Sequence, residues 1–221
     1  MATFVLIHGG GDVGWHWHLV ERELRQRSHV TLAPDLPCDD DSAGLAEYAD
    51  TVVEAIDGRG GLVVAAQSFG AFTAPLVAAR VPVETLVLVA GMIPAPGEAP
   101  DDWPANTGFD TVMRQQARRY AGQELIYHDV APALAEQARR NARDQSDAPG
   151  HAPWPLDEWP PVPTRFVLCT EDRFFPPGFM RRVVADRLGV VPDEIAAGHA
   201  VALSRPKELA DLLVRYSAAA G

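Results

Sequence analysis

The sequence predicts an α/β protein with a mostly parallel central sheet and helices on both faces. Three observations carry that expectation. Short apolar, partly β-branched runs recur along the 221 residues. These runs are apolar nearly throughout rather than alternating, as strands covered on both faces must be. Helical patterns lie between them, so strand and helix alternate.

The first strand is read at Thr3–Ile7 and stops at His8-Gly9-Gly10-Gly11. A helical pattern over Trp15–Arg27 leads to a strand at Val30–Leu32. A helix over Leu45–Asp57 then leads to a strand at Leu62–Ala66. The helical residues Phe69–Arg80 follow at once, before a strand at Thr85–Val89. Late in the chain come a strand at Arg165–Cys169, a helix over Gly178–Leu188, a short strand at Glu194–Ala196 and a helix over Pro206–Ala218. Pro206 suits a first helical turn, where a missing N–H costs nothing. Right-handed crossovers should join the strands, and ligand chemistry in such folds sits at their carboxyl ends.

Residues 92–163 break the alternation. Two helix-like segments, Phe109–Ala121 and Ala131–Asp144, stand among proline-rich loops that resist regular structure. Trp103, Trp154 and Trp159 carry too much apolar area for a solvated tether. The expectation is a single domain over 1–221 with 92–163 as a short helical cap insertion.

Composition narrows the partners. Nineteen Lys plus Arg against thirty Asp plus Glu leave a net charge of −11, which repels phosphate backbones and anionic lipid. The expected partner is therefore a small neutral or cationic molecule, with no nucleic acid and no membrane. Monomer and homodimer both remain open. No apolar run reaches the ~20 residues of a membrane helix. Cys38 and Cys169 follow no metal-ligand spacing. A first strand beginning at Thr3 leaves no room for a signal peptide, so a cytoplasmic setting is expected.

The chemistry centres on Gln67-Ser68-Phe69-Gly70. A strand, then Ser68, then a helix, with Ala66 and Gly70 two positions either side, is the setting of a nucleophile elbow. The turn is so tight that larger neighbours would clash. Serine needs a base, and of seven histidines His199 stands out. It lies in Ala197-Gly198-His199-Ala200, between the last short strand and the final helix. His8 shapes the glycine loop in this reading. His16 and His18 read as helix-face residues, lacking a third ligand for a metal. Asp172, after the strand ending at Cys169, would orient the base, with Glu171 and Asp101 or Asp102 as rivals. Donors for a tetrahedral oxyanion are expected at the N–H groups of Gly10 and Phe69. Phe69, Met92, Trp103 and Phe109 are candidate pocket walls.

Phe4–Gly11 with Gly14-Trp15-His16-Trp17, Gln67–Gly70, Val167–Asp172 and Gly198–Pro206 resemble the α/β-hydrolase superfamily. More closely, they resemble its small plant-type methyl esterase and hydroxynitrile lyase group. The resemblance covers roughly residues 3–91 and 164–219. It implies the α/β-hydrolase fold, a Ser68–Asp172–His199 triad, no cofactor, and a small ester bound under a helical cap. Lyases of the group carry threonine after the first-loop histidine and lysine after the catalytic histidine. Gly9 and Ala200 stand there and point to hydrolysis. Both positions are counted among the pocket candidates. The expected activity is a serine esterase working through an acyl-enzyme intermediate. A lyase-like use of the same triad, or a ligand-binding receptor with negligible turnover, are the alternatives.

Overall fold

The computed structural model describes residues 1–219. Within them, β1 (Thr3–Ile7), β2 (Val30–Leu32), β3 (Leu62–Gln67), β4 (Thr85–Val89), β5 (Thr164–Cys169) and β6 (Asp193–Ile195) form one sheet in the order β2-β1-β3-β4-β5-β6. Every neighbouring pair is parallel. The register sets Ile7 against Ala66, Gln67 against Val89 and Cys169 against Ile195. The loops after β1, β3, β5 and β6 therefore emerge along one edge of the sheet.

The helices are α1 (His18–Arg25), α2 (Leu45–Ile56), α3 (Ala74–Ala78), α4 (Trp103–Thr107), α5 (Phe109–Arg119), α6 (Pro132–Asn141), α7 (Ala148–His151), α8 (Pro177–Leu188), α9 (Val201–Ser204) and α10 (Pro206–Ala219). Two of the expected helices are shorter than their periodicity. The first opens as a 3-10 turn over Gly14–Trp17. The helix after Ser68 is a 3-10 turn over Ser68–Phe72, separated from α3 by Thr73. Pro75 explains the break, because it has no N–H to bond back to Ala71. No helix among the described residues is long and apolar enough to cross a membrane.

Alternation along each strand divides the core into two layers. Val5, Ile7, Val64, Ala66, Leu86, Leu88, Phe166 and Leu168 pack with residues of α2, α3 and α8 on one face. Phe4, Leu6, Val63, Ala65, Val87, Val89 and Val167 pack with α1 and α10 on the other. Both layers are apolar, so β1, β3 and β4 are buried along their whole length. That burial is why their sequence shows no period of two.

Residues 92–163 hold to the body through their tryptophans. Trp103 and Trp154 are fully buried. Trp103 Nε1 donates to the Ile93 carbonyl at 2.9 Å, and Trp154 Nε1 donates to the Phe72 carbonyl at 3.0 Å. Glu98, almost fully buried, meets the Arg187 guanidinium of α8, with Nη2 to Oε1 at 2.7 Å. A second tether fixes residues 143–146. Arg143 N–H donates to the Gly11 carbonyl at 2.9 Å, Ser146 N–H to the Cys38 carbonyl at 2.7 Å, and Gly11 N–H to Gln145 Oε1 at 2.9 Å. Truncating Trp154 to alanine removes a large buried ring and strands the Phe72 carbonyl. The expected loss is about 3–5 kcal/mol of unfolding free energy, measurable by denaturant titration.

Candidate active site

The end of β3 delivers Ser68 in a left-handed backbone conformation, φ +51°. A non-glycine residue there is uncommon and strained. The surroundings hold it. Met92 N–H donates to the Ser68 carbonyl at 2.9 Å. A Cβ placed on Gly70 would lie 2.4 Å from the His8 carbonyl oxygen, and one on Gly9 would lie 2.6 Å from Gln67 Oε1. The first loop and the serine turn thus touch backbone to backbone at Gly70, which only glycine permits there, while Gly9 faces the Gln67 side chain.

His199 and Asp172 arrive from β6 and β5. His199 Nδ1 lies 2.8 Å from Asp172 Oδ2, with both side chains under 5% exposed. Asp172 Oδ1 accepts the N–H groups of Phe174 at 2.8 Å and Phe175 at 2.9 Å. The carboxylate is therefore fixed on both oxygens. The rings of Phe174 and Phe175 stand edge-on to the imidazole, each 5.1 Å away. The loop bearing His199 is held twice more. Gly198 N–H donates to Asp129 Oδ2 at 2.7 Å, and Gln67 Nε2 reaches the His199 carbonyl at 3.4 Å. Glu171 is exposed, and Asp101 pairs instead with His151 at 2.8 Å. Of the acids weighed from sequence, Asp172 is the one that meets His199.

His8 is a buttress. Leu36 N–H donates to its Nε2 at 2.9 Å, so Nδ1 carries the proton and donates to the Gly9 carbonyl at 2.8 Å. Burial lowers its pKa, in keeping with a neutral ring.

Ser68 and His199 line one cavity of about 260 Å³ with Gly9, Gly10 and Phe69. No hydrogen bond of 3.5 Å or less joins the Ser68 hydroxyl to His199, and such contacts are often looser before substrate arrives. Among the described residues, the N–H groups of Gly10 and Phe69 meet no acceptor, and both residues line the cavity. Met92 and Phe174 add apolar wall, and Gln67 adds a polar one.

Other expectations are corrected. Trp103 and Phe109 are not walls. They belong to an aromatic cluster with Phe175 and Phe179, with centroids 4.9–6.0 Å apart, where apolar area is better buried than in the cavity. Ala200 is fully buried with Val130, Ala138 and Leu203 rather than forming a cavity wall. His16, read as a helix-face residue, is instead 2% exposed and lines the cavity, together with Asp12, Ile126, Tyr127 and Gln145. Nothing in the local pattern marks the last three, which lie in the insertion. Asp12 follows the glycine run directly, and that adjacency was the available signal.

A family profile described as the alpha/beta hydrolase family matches residues 4–212. Norfluorocurarine synthase 1 from a Strychnos species is 24% identical over 251 aligned positions, covering 95% of this chain and 93% of that protein. The crystal structure of polyneuridine aldehyde esterase superposes with a TM-score of 0.83 at 19% identity, over 98% of this chain and 99% of that one. A pyrethroid hydrolase from Sphingobium faniae JZ-2 superposes with a TM-score of 0.78 at 19% identity, over 99% of this chain and 98% of that one. At these identities the structural likeness is one of fold.

The crowding at the serine turn makes Gly70→Ala informative. Its methyl would press on the His8 carbonyl, so about 1–3 kcal/mol of stability should be lost. Urea denaturation checks this, alongside Ala71→Gly in the same turn as a comparison without added bulk.

Proposed function

We propose that this chain, which belongs to the alpha/beta hydrolase family, is a serine hydrolase that cleaves a small carboxylic ester through an acyl-enzyme intermediate. The observation that carries the proposal is the buried 2.8 Å contact between Asp172 and His199, opening with a strained Ser68 onto one cavity. A carboxylate fixed by two backbone N–H groups has one free task, which is to hold the Nδ1–H tautomer of His199. Nε2 is then unprotonated and can take the Ser68 proton.

The reaction follows in two halves. Ser68 Oγ attacks the ester carbonyl while His199 Nε2 accepts its proton. The carbonyl oxygen becomes an anion held by the N–H groups of Gly10 and Phe69. Collapse breaks the bond to the alcohol oxygen, which takes the proton from His199 and leaves. Water then adds to the acyl-serine, giving its proton to His199, and collapse returns that proton to Ser68 with release of the acid.

Two positions favour hydrolysis over a lyase-like use of the triad. A threonine at position 9 would bring its Cβ 2.6 Å from Gln67 Oε1 and 3.3 Å from Ser68 Cβ. Position 200 is a fully buried alanine rather than a lysine. The names of two structural relatives, an esterase and a pyrethroid hydrolase, point the same way.

The deciding experiment is reaction with a serine-directed fluorophosphonate followed by mapping of the modified peptide. Ser68 should carry the label, and label elsewhere or nowhere would overturn the proposal. With p-nitrophenyl butyrate, Ser68→Ala should lower kcat by about 10⁶, as triad loss does in subtilisin. Asp172→Asn should lower it by about 10⁴, because the tautomer is no longer fixed.

A further inference from the structure

We infer that Asp12 makes one end of the cavity a cation site, so that the preferred esters carry a quaternary ammonium or protonated amine. This rests on the hydrolase reading and narrows its substrate class.

Asp12 ends the glycine loop, four residues after His8, and lines the same cavity as Ser68 and His199. Its side chain is 11% exposed. Oδ1 accepts the Val13 N–H at 3.0 Å, and Oδ2 lies 2.8 Å from Nδ1 of His16. The imidazole is turned so that neither of its nitrogens makes a well-angled hydrogen bond. A carboxylate offers about four lone-pair positions, so acceptor capacity remains. Burial pushes the Asp12 carboxyl upward, but the adjacent His16 imidazole and the Val13 N–H outweigh it and hold the group below its ordinary range. Asp12 is therefore an ionised carboxylate in a confined site.

The His16 imidazole, 2.8 Å away, is the basic group beside that charge. Among the described residues, no lysine or arginine forms a wall of the cavity. Arg139, 5.3 Å over the Tyr127 ring, is not one of those walls and is held by Glu124 at 2.6 Å. Tyr127 itself is pushed up to about 12 by burial and by the Asp12 charge, so it remains a neutral phenol. With Phe69 and Phe174 it supplies aromatic surface of the kind that attracts cations. The net charge of −11 draws cations to the molecule and repels carboxylates.

The test compares two isosteric p-nitrophenyl esters, of 4-(trimethylammonio)butanoate and of 5,5-dimethylhexanoate. They differ by N⁺ in place of carbon. The wild-type enzyme should favour the cationic ester in kcat/KM by about tenfold, equivalent to about 1.4 kcal/mol. Asp12→Asn should bring the ratio to about one. A purely structural Asp12 would lower both rates together and leave the ratio standing, which overturns the inference. A wild-type ratio of one or below does the same. A second measurement needs no variant: choline should slow fluorophosphonate labelling of Ser68 at concentrations where 3,3-dimethylbutan-1-ol does not, and equal protection counts against the inference. If Ser68 takes no label and neither ester is cleaved, the hydrolase reading itself has failed, and the cation site falls with it.

Discussion

The site depends on one strained backbone. Ser68 sits at φ +51° where β3 ends, a conformation that costs on the order of 1–3 kcal/mol and persists only when neighbours over-determine it. Those neighbours are the first loop, with Gly9 and Gly70 admitting close contact, and the Met92 N–H that holds the serine carbonyl. The strain aims the side chain out of the strand direction, into the space that the other loops enclose. A relaxed, helical Ser68 would point elsewhere, and neither His199 nor the N–H groups of Gly10 and Phe69 would then have a common target.

The parallel register supplies the rest of the geometry. Strands β5 and β6 run side by side, with Cys169 opposite Ile195. Asp172 and His199 therefore leave the sheet on neighbouring loops and meet through a single hydrogen bond. Phenylalanines 174 and 175 serve twice. Their N–H groups fix the Asp172 carboxylate, and their rings hem in the imidazole. A low-dielectric surrounding makes that hydrogen bond stronger than it would be in water.

Much of this was legible in the residues. Runs without alternation, such as Val63-Val64-Ala65-Ala66, announced a sheet buried on both faces, and small residues flanking Ser68 announced a tight turn. His199 and Asp172 were legible because each follows an apolar run at its carboxyl end. What local pattern could not carry was contact between distant segments. Gln145 reaches the first loop across 134 positions, and Asp129 reaches Gly198 across 69. The helix after Ser68 read too long because apolar periodicity continues through Pro75 although the hydrogen-bond ladder does not. Trp103 and Phe109 read as walls because insertion aromatics can face inward or toward one another, and only packing decides. His16 read as a helix-face residue on a segment that, at that point, is a 3-10 turn with a different angular spacing.

The tether at residues 143–146 binds the covering segment to the same loop that carries the Gly10 amide. Residues 143–146 and the glycine loop are thus mechanically one piece. A hinge that swung residues 143–146 away to admit a bulky guest would have to break these bonds or drag the glycine loop along, displacing the Gly10 amide while the entrance is wide. Under the proposed function, widening the entrance at this segment and keeping the Gly10 amide in place would oppose one another, and lengthening the segment for larger guests would disturb the chemistry before it changed selectivity.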